Sequence, residues 1–243
     1  MQYYLTVFEL YIHIFIDFFR YFDIINIVNT NTNLCAQSSI CAHIYMKGIF
    51  MSYNFFAYMA RMKLIRRWSL MKSVSVENVA EHSAQVAMIA HALAVIKNRQ
   101  FGGELDANFI ATAALYHETS EVITGDLPTP IKYYNPAIRD SYKQIEKTAN
   151  DKLLSMLPET IREDYRTLIE VPSDSYEHTL IKAADKLAAY IKCVEELRSG
   201  NKEFSKAEAT LKKELAKYFE YEEVKYFFDT FASTFKKTLD ELE

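Results

Sequence analysis

The chain is short of the residues that punctuate β-rich and disulfide-stapled proteins. Five glycines and five prolines in 243 residues leave few tight turns, and no stretch of period-2 alternation is long enough to read as a strand. Three cysteines, Cys35, Cys41 and Cys193, give no paired framework; so sparse and odd a set fits a reducing compartment. Cys193 falls within a helical pattern and reads as a small core residue rather than a nucleophile. Basic charge is not in excess: 28 Lys and Arg against 32 Asp and Glu give a net −4. That excludes a general basic surface for a nucleic acid polymer, while leaving room for one or two arginines on a small phosphorylated ligand. Nor is there an uncharged apolar run of the ~20 residues that a membrane-spanning helix wants. The apolar stretch from about Tyr3 to Val28 contains Glu9, His13, Asp17, Arg20 and Asp23. It also lacks the basic start of a signal peptide and the Lys/Arg face of a membrane-surface helix.

What is present is helical periodicity. Half of the residues are apolar and a quarter charged, as in ordinary globular proteins, and the length suffices for one sizeable core. Residues 1–50 differ from the remainder in their density of Phe, Tyr and Ile and in the polar run Asn29-Thr30-Asn31-Thr32-Asn33. We read them as an extension outside the functional domain, which is expected to begin at Met51 and to run to residue 243. Within it the pattern predicts helices at about 53–66, 76–99, 106–121, 137–156, 159–169, 175–199, 203–218 and 221–241. Gly102, Gly103, Gly125, Gly200 and all five prolines fall at breaks. Asp106 is the expected N-cap of the third helix, and Ser173 or Asp174 that of the sixth. A single all-α domain follows.

Three of these helices carry an ionisable residue on an otherwise apolar stripe. In the second, His82 shares a face with Val79, Val86, Ile89, Ala90 and Leu93. In the third, Ile110, Ala113 and Ala114 lead to His117 and Glu121, with Glu118 beside them. In the sixth, Asp185 lies among Ile181, Ala184, Ala188 and Ile191. Taken singly, His82 reads as a core or rim histidine, and Asp185 as the partner of Lys182 or Lys186. Taken together, burying all of them without a shared partner would be expensive, and a divalent cation is one such partner. Two imidazoles and two carboxylates suit Mn, Co, Fe, Zn or Ni better than Mg or Ca.

His82, then His117 followed directly by an acidic residue, then Asp185, resembles the H…HD…D pattern of HD-domain metal phosphohydrolases. The flanking segments Arg66-Arg67-Trp68, Glu77-Asn78-Val79-Ala80-Glu81-His82-Ser83, Thr124-Gly125-Asp126-Leu127-Pro128-Thr129-Pro130 and Lys182-Ala183-Ala184-Asp185 narrow this. They resemble the bacterial 5′-deoxynucleotidases of that superfamily from about Tyr53 to near the C-terminus.

The resemblance implies an all-helical, cytoplasmic homodimer that removes the 5′-phosphate from deoxyribonucleoside monophosphates with a divalent transition metal. Co2+ or Mn2+ is expected first, with Zn2+, Fe2+, Ni2+ and Cu2+ as other candidates. It implies His82, His117, Glu118 and Asp185 as metal ligands and Glu121 as the catalytic carboxylate, with Arg67 orienting the phosphate. Trp68 would wall the nucleotide site and disfavour a 2′-hydroxyl, and Asp126, Leu127, Pro128 and Thr129 would contact the substrate beside Glu118 and Asp185. No membrane or nucleic acid polymer is expected as a partner.

One residue departs from the pattern. The family carries Asp after the second His, and this chain carries Glu118, an arm longer by ~1.5 Å and costlier in rotamer entropy to fix. Two readings follow: a deoxynucleotidase, or a nucleotide- and metal-binding pseudoenzyme with impaired catalysis. Without the resemblance, Arg67 reads rather as part of a surface run with Lys63 and Arg66 and Asp126 rather as a turn cap, while Glu121 reads equally as a helix-end carboxylate in solvent.

Overall fold

The computed structural model describes residues 53–132 and 134–243, with the backbone alone for Thr129. The expectations for residues 1–50, including those for Cys35 and Cys41, lie outside the described residues. Tyr53–Glu243 cluster as one compact unit. Its helices are α1 (Phe55–Met59), α2 (Val79–Gln100), α3 (Ala107–Leu115), α4 (Glu121–Thr124), α5 (Thr129–Lys132), α6 (Pro136–Ser155), α7 (Glu159–Ile169), α8 (Tyr176–Arg198), α9 (Ser205–Leu215) and α10 (Glu222–Phe231), joined by short 3-10 turns. Among the described residues there is no strand, only an isolated antiparallel bridge between Arg66 and Asn78.

The main core lies where α2, α3 and α8 meet, closed by α9 and α10. Val86, Ala90, Leu93, Ile110, Ala114, Leu180, Leu187, Phe204, Leu215 and Val224 are all buried there. α2 is long and apolar enough by composition to cross a membrane, but its apolar face is consumed by this core. A smaller cluster of Phe55, Leu153, Leu154 and Leu157 joins α1 to α6 and α7.

Helix starts follow local chemistry. Asn78 and Glu81 form a reciprocal capping box at α2: Glu81 N donates to Asn78 Oδ1 at 3.0 Å, and Asn78 N donates to Glu81 Oε2 at 3.2 Å. Asp106 caps α3 as expected, accepting from the amides of Asn108 and Phe109. α8 is capped by Ser175, whose Oγ accepts from His178 N at 3.1 Å, rather than by Ser173 or Asp174. Gly125 and Gly200 leave α4 and α8 with φ of 73° and 85°, a conformation that only glycine enters without strain.

Several expected helices are shorter in the structure. The one predicted over 53–66 stops at Met59 and continues as a 3-10 turn, Met62–Leu64. The last one ends at Phe231. The most consequential difference is in the third: α3 ends at Leu115, residues 116–120 form a turn, and α4 restarts at Glu121. His117, Glu118 and Glu121 therefore share no continuous helical face, and their convergence is produced by the turn.

Candidate metal centre and its surroundings

Four side chains from three elements converge. His82 lies in the first turn of α2, His117 and Glu118 in the turn after α3, and Asp185 within α8. Each offers one ligand atom, and those atoms lie within 4.8 Å of one another. The His82 and His117 rings are 5.5 Å apart, and His82 Nε2 is 3.0 Å from Asp185 Oδ1.

The end of α3 explains how His117 is aimed. The last carbonyls of a helix have no partner within it. Here His117 Nδ1 donates to Ala114 O at 2.7 Å, which fixes the tautomer and leaves a lone pair on Nε2. That Nε2 is buried and without a hydrogen-bond partner, with Glu118 Oε1 3.4 Å away. A buried, orphaned imidazole nitrogen facing carboxylates is what a divalent transition metal would satisfy.

The electrostatics agree. Burial pulls the His82 pKa down, with Arg67 and His117 adding to it against the hydrogen bond that His82 donates to Asp185; a neutral imidazole is the ligating form. Burial opposes ionisation of Glu118 and Asp185, but it is outweighed. His117 and Lys182 hold Glu118 well below its ordinary value, and His82, Lys182 and His117 do the same for Asp185. Asp185 thus answers mainly to His82 across the bundle, while Lys186 pairs with Glu214 at 3.4 Å.

Around this cluster stand the other expected residues. Arg67 is not a surface residue like Lys63 and Arg66, which are exposed; its side chain is 12% exposed. Burial works against its charge, and Asp185, Glu77, Glu118 and Asp126 more than restore it. Glu121 is buried, with Oε2 unpartnered. Burial first, then the charges of Glu118 and Asp126, push its pKa up to about 10. Asp126 is half-buried, and its pKa is raised by burial and Glu118 against Arg67 and His82. Leu127 and Pro128 are half-buried, and the Pro128 carbonyl accepts from the amides of Ile131 and Lys132. Trp68 packs on Phe204, ring centroids 5.3 Å apart, and has a φ of 57°, the sole positive φ outside glycine among the described residues.

Two residues emerged only from the structure. Glu77 accepts from both Arg67 and Trp68. Lys132, held by Glu146 at 2.8 Å and lying 4.8 Å from the centre of the Tyr142 ring, directs its charge at Glu121 and Asp126. Both stand in or beside the segments that carry the resemblance, but neither lies on an apolar stripe, so periodicity gives no signal for them.

Cys193 is buried, and burial pushes its thiol up to about 12, as befits an inert core residue.

Comparison with known proteins places these features in context. The family profile described as 5′-deoxynucleotidase YfbR-like matches residues 54–235. A 5′-deoxynucleotidase of Vibrio cholerae serotype O1 is 55% identical over 190 residues, covering 78% of this chain and 97% of that protein. Among solved structures, an HD-domain phosphohydrolase from Listeria innocua superposes with a TM-score of 0.67 at 25% identity, over 75% of this chain and 88% of that one. A cyanophage S-2L HD phosphohydrolase bound to dA and one catalytic Zn2+ ion shares the fold, with a TM-score of 0.53 at 19% identity over 75% of this chain and 96% of that one.

Proposed function

Since the chain belongs to the YfbR-like 5′-deoxynucleotidase family of HD-domain phosphohydrolases, we propose that it hydrolyses deoxyribonucleoside 5′-monophosphates to deoxynucleoside and phosphate. The observation that carries this reading is the four-residue cluster with a largely buried arginine and a buried carboxyl, Glu121, beside it. His82, His117, Glu118 and Asp185 would hold the divalent metal. A cation there lowers the pKa of water and neutralises charge on the phosphate. Co2+ and Mn2+ are the favoured ions, and the zinc of the cyanophage neighbour keeps Zn2+ in the set. The homodimeric and cytoplasmic assignments rest on the family resemblance.

The chain's own groups then have distinct tasks. Arg67 presents its terminal N–H groups to phosphate oxygens as a fork, which lysine could not. Glu121 would take the proton from the attacking water: Arg67 and Lys132 already oppose the rise in its pKa, and a bound cation would lower it further. Asp126 and the Leu127–Thr129 segment line the substrate side, and Trp68 walls the sugar.

A second reading, binding with impaired turnover, is favoured by Glu118 standing where the family carries Asp. A phosphate-release assay across deoxy- and ribonucleotides with several metals, run on this chain and on Glu118→Asp, separates the two. We expect release from the parent and a rise in kcat in Glu118→Asp, whose shorter arm is cheaper to fix. No release by the metal-loaded parent from any deoxynucleotide would sink the hydrolase reading. Activity created only by Glu118→Asp would establish the pseudoenzyme.

A further inference from the structure

Glu77 joins two groups that the proposed function uses separately and lies beside a third. It is 9% exposed. Its Oε2 accepts from Arg67 Nε at 3.1 Å and from Trp68 Nε1 at 2.9 Å, and its Oε1 is 3.9 Å from His82 Nδ1. Its own backbone is fixed as well. The Glu77 carbonyl accepts from Arg67 N at 3.0 Å, next to the Arg66–Asn78 bridge, and Asn78 caps α2. The carboxylate thus hangs from a rigid mount at the start of the helix that carries His82.

We propose that Glu77 is a positioning residue for the nucleotide site, setting the Arg67 fork and the Trp68 ring together. This rests on the roles given above to Arg67 and Trp68. With Nε engaged by Glu77, the guanidinium cannot turn about its stem, and its terminal N–H groups keep one direction for phosphate. The indole has a single donor; anchoring it holds the ring while the Trp68 backbone stays in a conformation that L-residues rarely adopt. A His82 that ligates through Nε2 must carry its proton on Nδ1. In the structure His82 Nδ1 is buried and without a hydrogen-bond partner, and Glu77 Oε1 lies 3.9 Å from it, outside hydrogen-bonding distance.

The test uses the full chain, Glu77→Gln, Arg67→Ala, Arg67→Lys and the Glu77→Gln/Arg67→Ala double variant. Trp68 is the sole tryptophan, so its emission reports the wall directly, with inorganic phosphate and deoxyadenosine monophosphate as titrants and no metal added. Glu77→Gln is expected to melt cooperatively, to lose about 100-fold in kcat/KM, to narrow the preference for deoxy over ribose substrates, and to weaken the phosphate-induced change in emission. In the Arg67→Ala background it is expected to add less than threefold, because the two residues act as one unit. If Glu77→Gln does not fold, Arg67→Lys carries the test. It keeps the cation but loses the Nε–H, and should fall as far as Arg67→Ala. Parent-like kcat/KM and emission in folded Glu77→Gln, losses that multiply in the double variant, or parent-like activity in Arg67→Lys would each overturn the proposal. A parent that releases no phosphate, while Glu77→Gln still loses the emission change, would sink the hydrolase reading and support Glu77. If neither activity nor emission change exists in the parent, both fall.

Discussion

Glu121 shows how a single carboxyl can be set by its surroundings. Burial and the charges of Glu118 and Asp126 raise its pKa from 4.5 to about 10, so without a cation the folded chain keeps a proton there that the unfolded chain has lost. Such a group stabilises the fold fully below pH 4.5, and that stabilisation drains away as pH rises toward 10. Chelated protein should therefore melt at progressively lower temperature from pH 5 to pH 9, and Glu121→Gln, which cannot ionise, should flatten that slope. The same variant should lose at least about 100-fold in kcat while its KM moves little; unchanged turnover would remove Glu121 from the chemistry. Ion removal is the companion prediction. The ionised Glu118 and Asp185 repel each other, and the buried His117 Nε2 has no hydrogen-bond partner. Mn2+ at about 100 times its Kd should raise stability by about 2.7 kcal/mol over chelated protein, read as a thermal shift; no shift with any transition metal would argue against the centre.

At the scale of elements, the loop that follows Trp68 is tied to α8 by a buried network. Glu196 accepts from Lys192, from the amides of Val74 and Ser75, and from Asn201, and Lys192 also donates to the Ser75 carbonyl. Burial alone would raise the Glu196 pKa. These donors reverse that and hold it at about 2, against an ordinary 4.5. Its contribution to stability is thus complete above pH 4.5 and lost as pH falls toward 2. Glu196→Gln should cost about 3 kcal/mol near neutrality, as removal of one partner of a buried pair does, and the gap to the parent should close in acid; chemical denaturation at pH 7 and pH 3 measures both. A constant gap would show packing, not charge, to be the cause. Because the loop connects Trp68 to Glu77, this network also braces the wall of the site.

For the molecule as a whole, the matched region and the compact unit begin within one residue of each other, at Asn54 and Tyr53. Residues 51–243 alone are expected to fold, with a melting temperature and kcat/KM within twofold of the full chain; a shortened chain that aggregates or is inactive would return a role to residues 1–50. The aromatic stretch near the C-terminus divides its duties: Phe227 is buried in the main core and Tyr226 is 39% exposed.

Periodicity and capping chemistry determined much of this protein from the sequence alone. The all-α class, the range of α7, the Asp106 cap and the apolar stripes that carry His82 and Asp185 depend on neighbours a few residues away, and such neighbours are visible in one dimension. The family resemblance named the four residues that converge. Only the tertiary structure decided the rest. α3 ends at Leu115 because the following turn is stabilised by His117 bonding back to the Ala114 carbonyl, an outcome that helical periodicity through Glu121 does not reveal. Arg67 turns inward, unlike Arg66, because four carboxylates from distant segments supply the charge that burial would otherwise forbid. Glu77 matters because chain folding brings an arginine, an indole and an imidazole to one carboxylate. Contacts of this kind depend on where elements meet in space, and sequence order does not contain that information until the core has packed.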